Sequence, residues 1–294
     1  MTSDAAVRAF AGGIGIVLAV VSCAIVAAGL IVALGLPAES RAGDPAPTTP
    51  APAAPRPDEL VVALGLGDPV LQAGVVRDDD VILARGLEVD IARNLARRLG
   101  IRQVRFVYVK AASRRLVAEV RPWDLTIASI RPVGAASTGT DLTDPYLGTD
   151  QAVVLRRGLP RLSSLRDLRR KITCAVRGSD GAKALASRVT PAAKPILAAT
   201  EARLLELVQT GACDAALVDG AKVGQFVAGR GGILGPVSAR VAFGGGYVVA
   251  VTRGGPIAAP DIDRALQRMR ADGTMHRLAK QWLGIDPARL TALS

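Results

Sequence analysis

DLTIASIRPVGAASTGTDLTDPY, residues Asp124–Tyr146, is the stretch that decides the fold of this 294-residue chain. Its first half is typical of a buried strand, because Leu125, Ile127 and Ile130 are apolar and Pro132 ends the run. Its second half is a loop of small residues that ends in Asp-Pro-Tyr, a turn-forming sequence. A buried strand that delivers a polar loop to one point is how α/β proteins build ligand sites.

The segments around this stretch alternate between strand and helix patterns. Glu59–Leu66 and Gln103–Val109 are predicted strands, and Gly86–Gly100 is a predicted helix with one apolar face. A second helix is predicted at Ala112–Val120. The β-α-β-α-β order predicts a parallel sheet with helices on both faces.

A second lobe is predicted after Tyr146. Its strands and helices alternate in the same way and are predicted at Gln151–Leu155, Leu165–Arg169, Lys171–Arg177, Thr200–Thr210 and Asp214–Val218. The chain is then predicted to return near Val241–Val251 and to add the helices Pro260–Ala271 and Thr274–Leu283 to the first lobe. Two crossings make a hinge, and a ligand held between the lobes would close it.

The amino-terminal segment differs from the rest of the chain. Residues 10–36 carry no charged side chain. A helix of that length spans about 40 Å at ~1.5 Å per residue, which is enough for a tilted helix to cross a bilayer. Residues 1–9 are a short tail, and residues 37–58, rich in proline and alanine, are typical of an extended tether. Three interpretations of residues 10–36 stay open: a transmembrane anchor, a lipoprotein signal with a lipid on Cys23, and a cleaved signal peptide.

The net charge of +11 at pH 7 arises after residue 57. The charges before it cancel, since Arg8, Arg41 and Arg56 oppose Asp4, Glu39 and Asp44. A basic surface favours anionic partners such as lipids, wall polymers or an acidic ligand, but arginine-rich solvated helix faces are the simpler explanation of the charge. No interleaving of basic and aromatic residues is visible, so no nucleic-acid partner is predicted.

Five landmarks together resemble one known family, the solute-binding proteins of family 3, which serve ABC importers of amino acids. The stretch Asp124–Tyr146 aligns to the family pattern without a gap. The other landmarks follow in order and are GLEVDIARNLARRLG (Gly86–Gly100), SLRDLRRKITCAVRGSD (Ser164–Asp180), GACDAALVDG (Gly211–Gly220), and YVVAVTRG with ALQRMRADGTMHRLAKQWLG (Tyr247–Gly284).

The resemblance implies an α/β, two-lobed, periplasmic-binding-protein-like fold of type II. Each lobe is expected to be a mainly parallel sheet with flanking helices, preceded by one transmembrane helix. The first lobe is assigned to residues 59–149 and 245–294, and the second lobe to residues 150–244.

The implied function is the capture of a small polar solute, an amino acid or a related compound, in a cleft between the lobes. The protein is then expected outside the cytoplasm, anchored to the cell membrane, monomeric, free of cofactors and partnered by ABC permease subunits. A rival interpretation is a ligand-sensing or degenerate regulatory module of the same fold that acts through a membrane partner. An enzyme is a third interpretation and is not the one predicted.

The resemblance also carries over candidate ligand contacts. Asp219, the second Asp of DAALVD, stands where the family binds the ligand ammonium; the alternative role is capping a following helix. Ala136 stands where the family has the Arg that binds the ligand carboxylate. Arg131 and Val133 stand at the family's Ser and Thr positions. Arg131 is expected either to replace the missing Arg or to be an ordinary surface or salt-bridged side chain.

The second lobe of the family presents a Ser/Thr pair at a helix start, and here that pair is Ser179 and Asp180. A carboxylate at Asp180 repels a ligand carboxylate but makes a good helix cap. Asp68 and Ser129 complete the predicted ligand-binding set. Because several contacts differ from the family, either the ligand is different, being cationic or not an amino acid, or the pocket has lost tight binding.

Catalytic and metal chemistry find little support in the sequence. No metal-ligand cluster or Ser-His-Asp pattern is visible, and His276 is predicted to be structural. An enzyme would need a cleft acid with a raised pKa, for which Asp180 is the candidate. Cys174 and Cys213 are expected on neighbouring strands of the second lobe, either as a disulfide or as two small buried side chains.

Overall fold

The computed structural model describes residues 58–109, 122–132, 139–228 and 234–294. The predicted tail, the predicted membrane segment and the tether up to residue 57 lie outside the described residues, as do the predicted helix Ala112–Val120 and the candidate residue Val133. The transmembrane helix therefore stays a prediction. Within the ranges that are described, no helix is both long and apolar enough to cross a bilayer.

The described residues form fourteen strands and seven α-helices. The strands are β1 (Glu59–Leu64), β2 (Ala73–Arg77), β3 (Asp80–Arg85), β4 (Gln103–Tyr108), β5 (Leu125–Ile130), β6 (Thr140–Leu142), β7 (Leu147–Gly148), β8 (Gln151–Arg156), β9 (Thr173–Val176), β10 (Ile196–Ala198), β11 (Ala215–Asp219), β12 (Leu234–Val241), β13 (Gly246–Thr252) and β14 (Thr291–Ala292). The helices are α1 (Leu87–Arg98), α2 (Leu165–Arg169), α3 (Asp180–Ala184), α4 (Glu201–Gln209), α5 (Val223–Val227), α6 (Ala259–Ala271) and α7 (Thr274–Leu283).

These strands make two sheets, one for each lobe. The first sheet has eight strands in the order β2-β3-β4-β1-β5-β13-β6, with β7 paired to β13. The second sheet has six strands in the order β10-β9-β11-β8-β12-β14. The chain passes from the first sheet to the second between β7 and β8, and it returns between β12 and β13.

Both sheets are mixed, so the prediction of mainly parallel sheets is wrong. β1 runs parallel to β4 and β5, but β13 is antiparallel to β5, and β8 is antiparallel to both β11 and β12. The reason lies in the crossings. β8 and β13 enter their sheets from the side where the lobes meet and run away from it, whereas β5 and β11 run towards it.

The first lobe packs three helices against one face of its sheet. Helices α1, α6 and α7 supply side chains such as Leu95, Leu266 and Leu283, which are buried with Leu125 and Val249 from the sheet. The apolar spacing of four along α1 explains this face, because residues i and i+4 lie on one side of a helix. The opposite face of the sheet is also buried, as expected for strands without polar alternation.

The second lobe also buries both faces of its sheet. One face packs against α4 and α5, and the other against α2 and α3. Ser164 caps α2, as its position in the sequence indicates, by accepting a hydrogen bond from the Asp167 amide. Thr200 caps α4 in the same way.

Two features at the sheet edges are absent from the sequence analysis. β2 and β3 form a hairpin whose turn residues Asp78 and Asp79 both have positive φ angles. Asp adopts positive φ more readily than most residues, so an Asp-Asp pair between two aliphatic runs fits such a turn. At the other end, β14 pairs with β12 of the second sheet, although residues 245–294 are assigned to the first lobe from the sequence.

The cysteines of the second lobe are joined by a disulfide between Cys174 and Cys213. Cys174 lies on β9, Cys213 precedes β11, and these two strands pair in parallel. Both cysteines are fully buried. The bond closes a loop of 39 residues in sequence separation, so it restricts the unfolded chain.

Removing this disulfide is expected to destabilise the second lobe. For Cys174→Ala combined with Cys213→Ala, we expect the free energy of unfolding to fall by about 2–4 kcal/mol, from the loop that the bond closes. Chemical denaturation of the purified full chain measures this difference. A double variant that unfolds at the wild-type denaturant concentration would show that the bond does not contribute.

Candidate functional site

The candidate site lies between the two sheets, where strands from both lobes end. β1 and β5 of the first sheet end at Leu64 and Ile130, and β9 and β11 of the second sheet end at Val176 and Asp219. Arg131 directly follows β5, and Asp219 itself ends β11. The carboxyl ends of parallel strands are where α/β proteins bind ligands, so this cleft is the candidate site.

Three cavities lie along the cleft, with volumes of about 300, 250 and 250 Å³. Residues of both lobes line the largest, including Gln72 and Ser129 from the first lobe and Lys222 from the second. Asp68 and Lys222 also line the second cavity. The third lies between Arg131 and the second-lobe residues Asp180, Asp219 and Lys222. Lys222 therefore lines all three cavities.

Arg131 joins the two lobes by ion pairs. Its Nη1 lies 2.5 Å from Asp180 Oδ2, and its Nη2 lies 3.7 Å from Asp219 Oδ2. The guanidinium carbon also lies 5.7 Å from the centre of the Tyr247 ring, which is within cation–π range. The one cation that the sequence places on this strand end thus contacts both predicted acids.

The two acids have opposite pKa shifts. Partial burial acts to raise the pKa of Asp180, but the hydrogen bond from Lys183 and the charge of Arg131 outweigh it and lower that pKa below 3.8. Deeper burial raises the pKa of Asp219 above 3.8, despite the Ala221 amide and the charge of Arg131. Burial, together with the charge of Asp219, raises the pKa of Tyr247 to about 12.

A buried carboxylate supports the first-lobe side of the cleft. Glu88, in the first turn of α1, has no exposed surface. Its Oε1 accepts hydrogen bonds from the Ser129 amide at 2.9 Å, from the Ser129 hydroxyl at 2.8 Å and from the Tyr146 hydroxyl. Its Oε2 accepts one from Gln72, which also donates to the Ile127 carbonyl at 2.7 Å. Burial raises the pKa of Glu88, although these donors oppose the shift.

The structure brings Arg131, Asp180 and Asp219 together and gives the other predicted residues different partners. Ser179 caps α3 by accepting a hydrogen bond from the Ala182 amide. Ser129 donates its hydroxyl to Glu88, and Asp68 accepts a hydrogen bond from the Val70 amide at 3.0 Å. Their roles as ligand contacts stay predictions.

Several residues of the cleft are missed by the sequence analysis. Lys222 and Tyr247 line the largest cavity, as does Gln72, whose Oε1 accepts hydrogen bonds from the amides of Gly65 and Leu66. Lys222 carries a signal in the sequence, because it follows the candidate Asp219 by three residues. Gln72 carries none, since nothing local distinguishes it from an exposed loop residue.

Metal and histidine chemistry find no support in the described part of the chain. No group of three or more His, Cys, Asp or Glu residues there is arranged to hold a metal ion. His276 pairs through Nδ1 with Asp286 at 2.8 Å on the carboxy-terminal side of the first lobe, which is a structural contact.

Two lobes joined by two crossing segments, with a polar cleft between them, define a periplasmic-binding-protein-like fold. Residues 75–285 match the model of the bacterial extracellular solute-binding proteins, family 3. The match spans most of the chain, so the protein belongs to this family, and the predicted family is confirmed. No curated protein sequence matches the chain.

Solved structures share this fold at low sequence identity. The L-cystine solute receptor of Neisseria gonorrhoeae, in an unliganded open conformation, has a TM-score of 0.60 at 19% identity, covering 78% of this chain and 94% of the receptor. An ancestral cationic amino acid solute-binding protein gives 0.52 at 19% identity, with 77% and 96% covered. An ancestral cyclohexadienyl dehydratase gives 0.60 at 18% identity, with 78% and 93% covered. At these identities the likeness shows the shared fold alone.

Removing the buried carboxylate is expected to destabilise the first lobe at its cleft-facing end. Glu88→Ala leaves the donors of Ser129 and Tyr146 without their acceptor, so we expect the free energy of unfolding to fall by about 2–4 kcal/mol. Chemical denaturation measures the loss. An unchanged free energy of unfolding would mean that water replaces the carboxylate at no cost.

Glu88 should also make the stability depend on pH. Because its pKa in the folded chain is raised above 4.5, its stabilising contribution is fully present below pH 4.5 and is lost as the pH rises through the raised pKa. Glu88→Gln keeps the size of the side chain but cannot ionise. We expect this part of the pH dependence to be missing from the unfolding free energy of Glu88→Gln; identical pH profiles would contradict it.

Proposed function

We propose that this protein captures a small polar solute, an amino acid or a related compound, in the cleft between its lobes and presents it to an ABC importer. The observation that carries the proposal is the convergence of Asp180, Asp219, Arg131 and Lys222 at one place between the lobes. Charges of both signs on opposite walls of a cleft suit a small charged solute, which closes two hinged lobes around itself.

The charges suggest how such a solute is oriented. Asp219 Oδ2 faces the cleft cation, so a solute ammonium is proposed to bind there. Lys222 is exposed and makes no ion pair within the described residues, and it lines all three cavities. We therefore propose Lys222 as a partner for an anionic group of the solute. This would compensate for Ala136, which stands where the family has its carboxylate-binding Arg.

The location and the transport partners are part of the proposal. Residues 10–36 are proposed to anchor the protein in the cell membrane, as a single span or through a lipid on Cys23, with residues 37–58 as the tether. The folded part is then outside the cytoplasm, where it meets ABC permease subunits as a monomer. The family match supports the extracellular side, since the family is one of extracellular proteins.

A second function is favoured by one observation. Arg131 already engages both acids of the second lobe, which is how a cleft that no longer takes a solute would look. Under this alternative the protein is a regulatory or interaction module that acts through a membrane partner. The candidate acid Asp180 has a lowered pKa, whereas a general acid needs a raised pKa, so catalysis through Asp180 is not proposed.

A thermal-shift screen of the purified full chain in detergent tests the proposal. The panel contains amino acids, polyamines, dicarboxylates and wall fragments. A ligand at about 100 times its dissociation constant stabilises the fold by ~2.7 kcal/mol, which raises the melting temperature by roughly 5 °C or more in a domain of this size.

The variants decide what a response means. Asp219→Ala and Lys222→Ala should each abolish or strongly weaken the shift, because each removes one charged partner of the solute. Glu206→Ala, which removes an exposed acid paired with Arg203 on α4, should leave the shift unchanged. A flat response of the wild type to the whole panel would contradict the solute-binding proposal and favour the regulatory module.

A further inference from the structure

The Arg131 side chain crosses the cleft. It follows β5 of the first sheet, while Asp180 begins α3 and Asp219 ends β11, both in the second lobe. The contact with Asp180 joins residues 49 positions apart in the sequence. Each acidic side chain is one-fifth exposed and the Arg131 side chain is 37% exposed, so these pairs lie at the cleft surface, open to competition.

The two carboxylates are arranged as one cation site. Asp180 Oδ1 accepts a hydrogen bond from Lys183 at 3.0 Å, and Asp219 Oδ1 accepts one from the Ala221 amide at 2.9 Å. Both of these donors belong to the second lobe. The remaining oxygen of each acid, Oδ2, is the atom nearest Arg131. Donors within the second lobe thus bind the Oδ1 atom of each carboxylate. The Oδ2 atom of each is left for a cation that does not belong to the second lobe.

The guanidinium also lies against the segments that connect the lobes. A Cβ atom on Gly244, between β12 and β13, would lie 3.5 Å from Arg131 Nη1 and 3.2 Å from the hydroxyl of Thr149, between β7 and β8. Gly244 has a φ of +92°, which disfavours other residues. A motion of the lobes about these segments would change the distance between Arg131 and the two acids, and would thereby make or break the ion pairs.

We propose that Arg131 is an internal competitor for the ligand: its guanidinium occupies the cation site formed by Asp180 and Asp219, and a small organic cation binds by displacing it. The class of ligand is a guanidinium, amidinium or primary ammonium compound with N–H donors for the two Oδ2 atoms. This inference rests on the proposed solute-binding function and deepens it by naming the charge of the solute and the residue that it displaces.

The role is opposite to that of a ligand-binding arginine. If Arg131 held a solute carboxylate, its removal would weaken binding. As a competitor, it lowers the fraction of molecules with a free cation site, and the apparent dissociation constant rises as that fraction falls. Removing Arg131 should therefore tighten the binding of an organic cation by about 3- to 10-fold, since partly exposed ion pairs have modest strength.

The experiment uses methylguanidinium chloride as the probe and the melting temperature of the full chain in detergent as the readout. Arg131→Ala opens the site, so at about 10 mM probe we expect its melting temperature to rise by roughly 3 °C, and that of the wild type by less than about 1 °C. Arg131→Ala combined with Asp180→Asn should lose the response. Tetramethylammonium chloride, which lacks N–H donors, controls for salt.

Arg156→Ala is the matched control variant. Arg156 pairs with Asp214 at 3.2 Å, with nearly the same exposure of both side chains, but both residues lie in the second lobe. We expect no methylguanidinium response from Arg156→Ala. If Arg131→Ala does not fold, Arg131→Gln replaces it, because glutamine keeps a polar side chain without the positive charge.

The outcomes separate this inference from the proposed function. A probe response that appears only when Arg131 is removed supports the internal competitor, even if the solute panel gives no hit. No response from a folded Arg131 variant overturns it, and so does an equal response from the wild type. A panel solute that binds the wild type but is lost in Arg131→Ala also overturns it, while leaving solute binding itself established.

Discussion

One buried carboxylate holds the cleft-facing end of the first lobe in place. Glu88 accepts hydrogen bonds from Gln72, Ser129 and Tyr146, which lie before β2, on β5 and in the Asp-Pro-Tyr turn. A buried carboxylate is costly unless donors surround it. The three segments therefore converge on one point, and the chain that leads from Ser129 to Arg131 starts from a fixed position. The reach of Arg131 across the cleft depends on this anchor.

The direction of the crossing strands places the other wall of the cleft. β8 leaves the crossing at Gln151 and runs antiparallel to β11, so β11 returns to the crossing and ends there at Asp219. Asp150 fixes the crossing itself, because it pairs with Arg240 and accepts hydrogen bonds from the amides of Gly220 and Phe243. The backbone hydrogen bond from Gly220 and the ion pair with Arg240 together keep the end of β11 next to the crossing segments.

Electrostatics then distinguish two acids that look alike in the sequence. Asp180 lies in a site rich in cations and is held ionised, whereas Asp219 is more deeply buried and is less readily ionised. Lys222 extends into the same space without an ion pair within the described residues. A cleft with two acids on one wall differs from the family pattern, in which a hydroxyl stands at the position of Asp180, and both acids pair with Arg131, which stands where the family has a Ser.

The sequence by itself determined the family, the order of most strands and helices, and the identity of the charged residues at the strand ends. Helix α7 has the predicted bounds, and Asp219 ends a strand as its position after DAALV indicates. Such features follow from local periodicity and turn chemistry, which a sequence displays directly. The tertiary structure alone decided the antiparallel direction of the crossing strands, the enclosure of Glu88 and the pairing of Arg131 with both acids. These depend on distances between residues far apart in the chain, and packing of the complete lobes sets those distances.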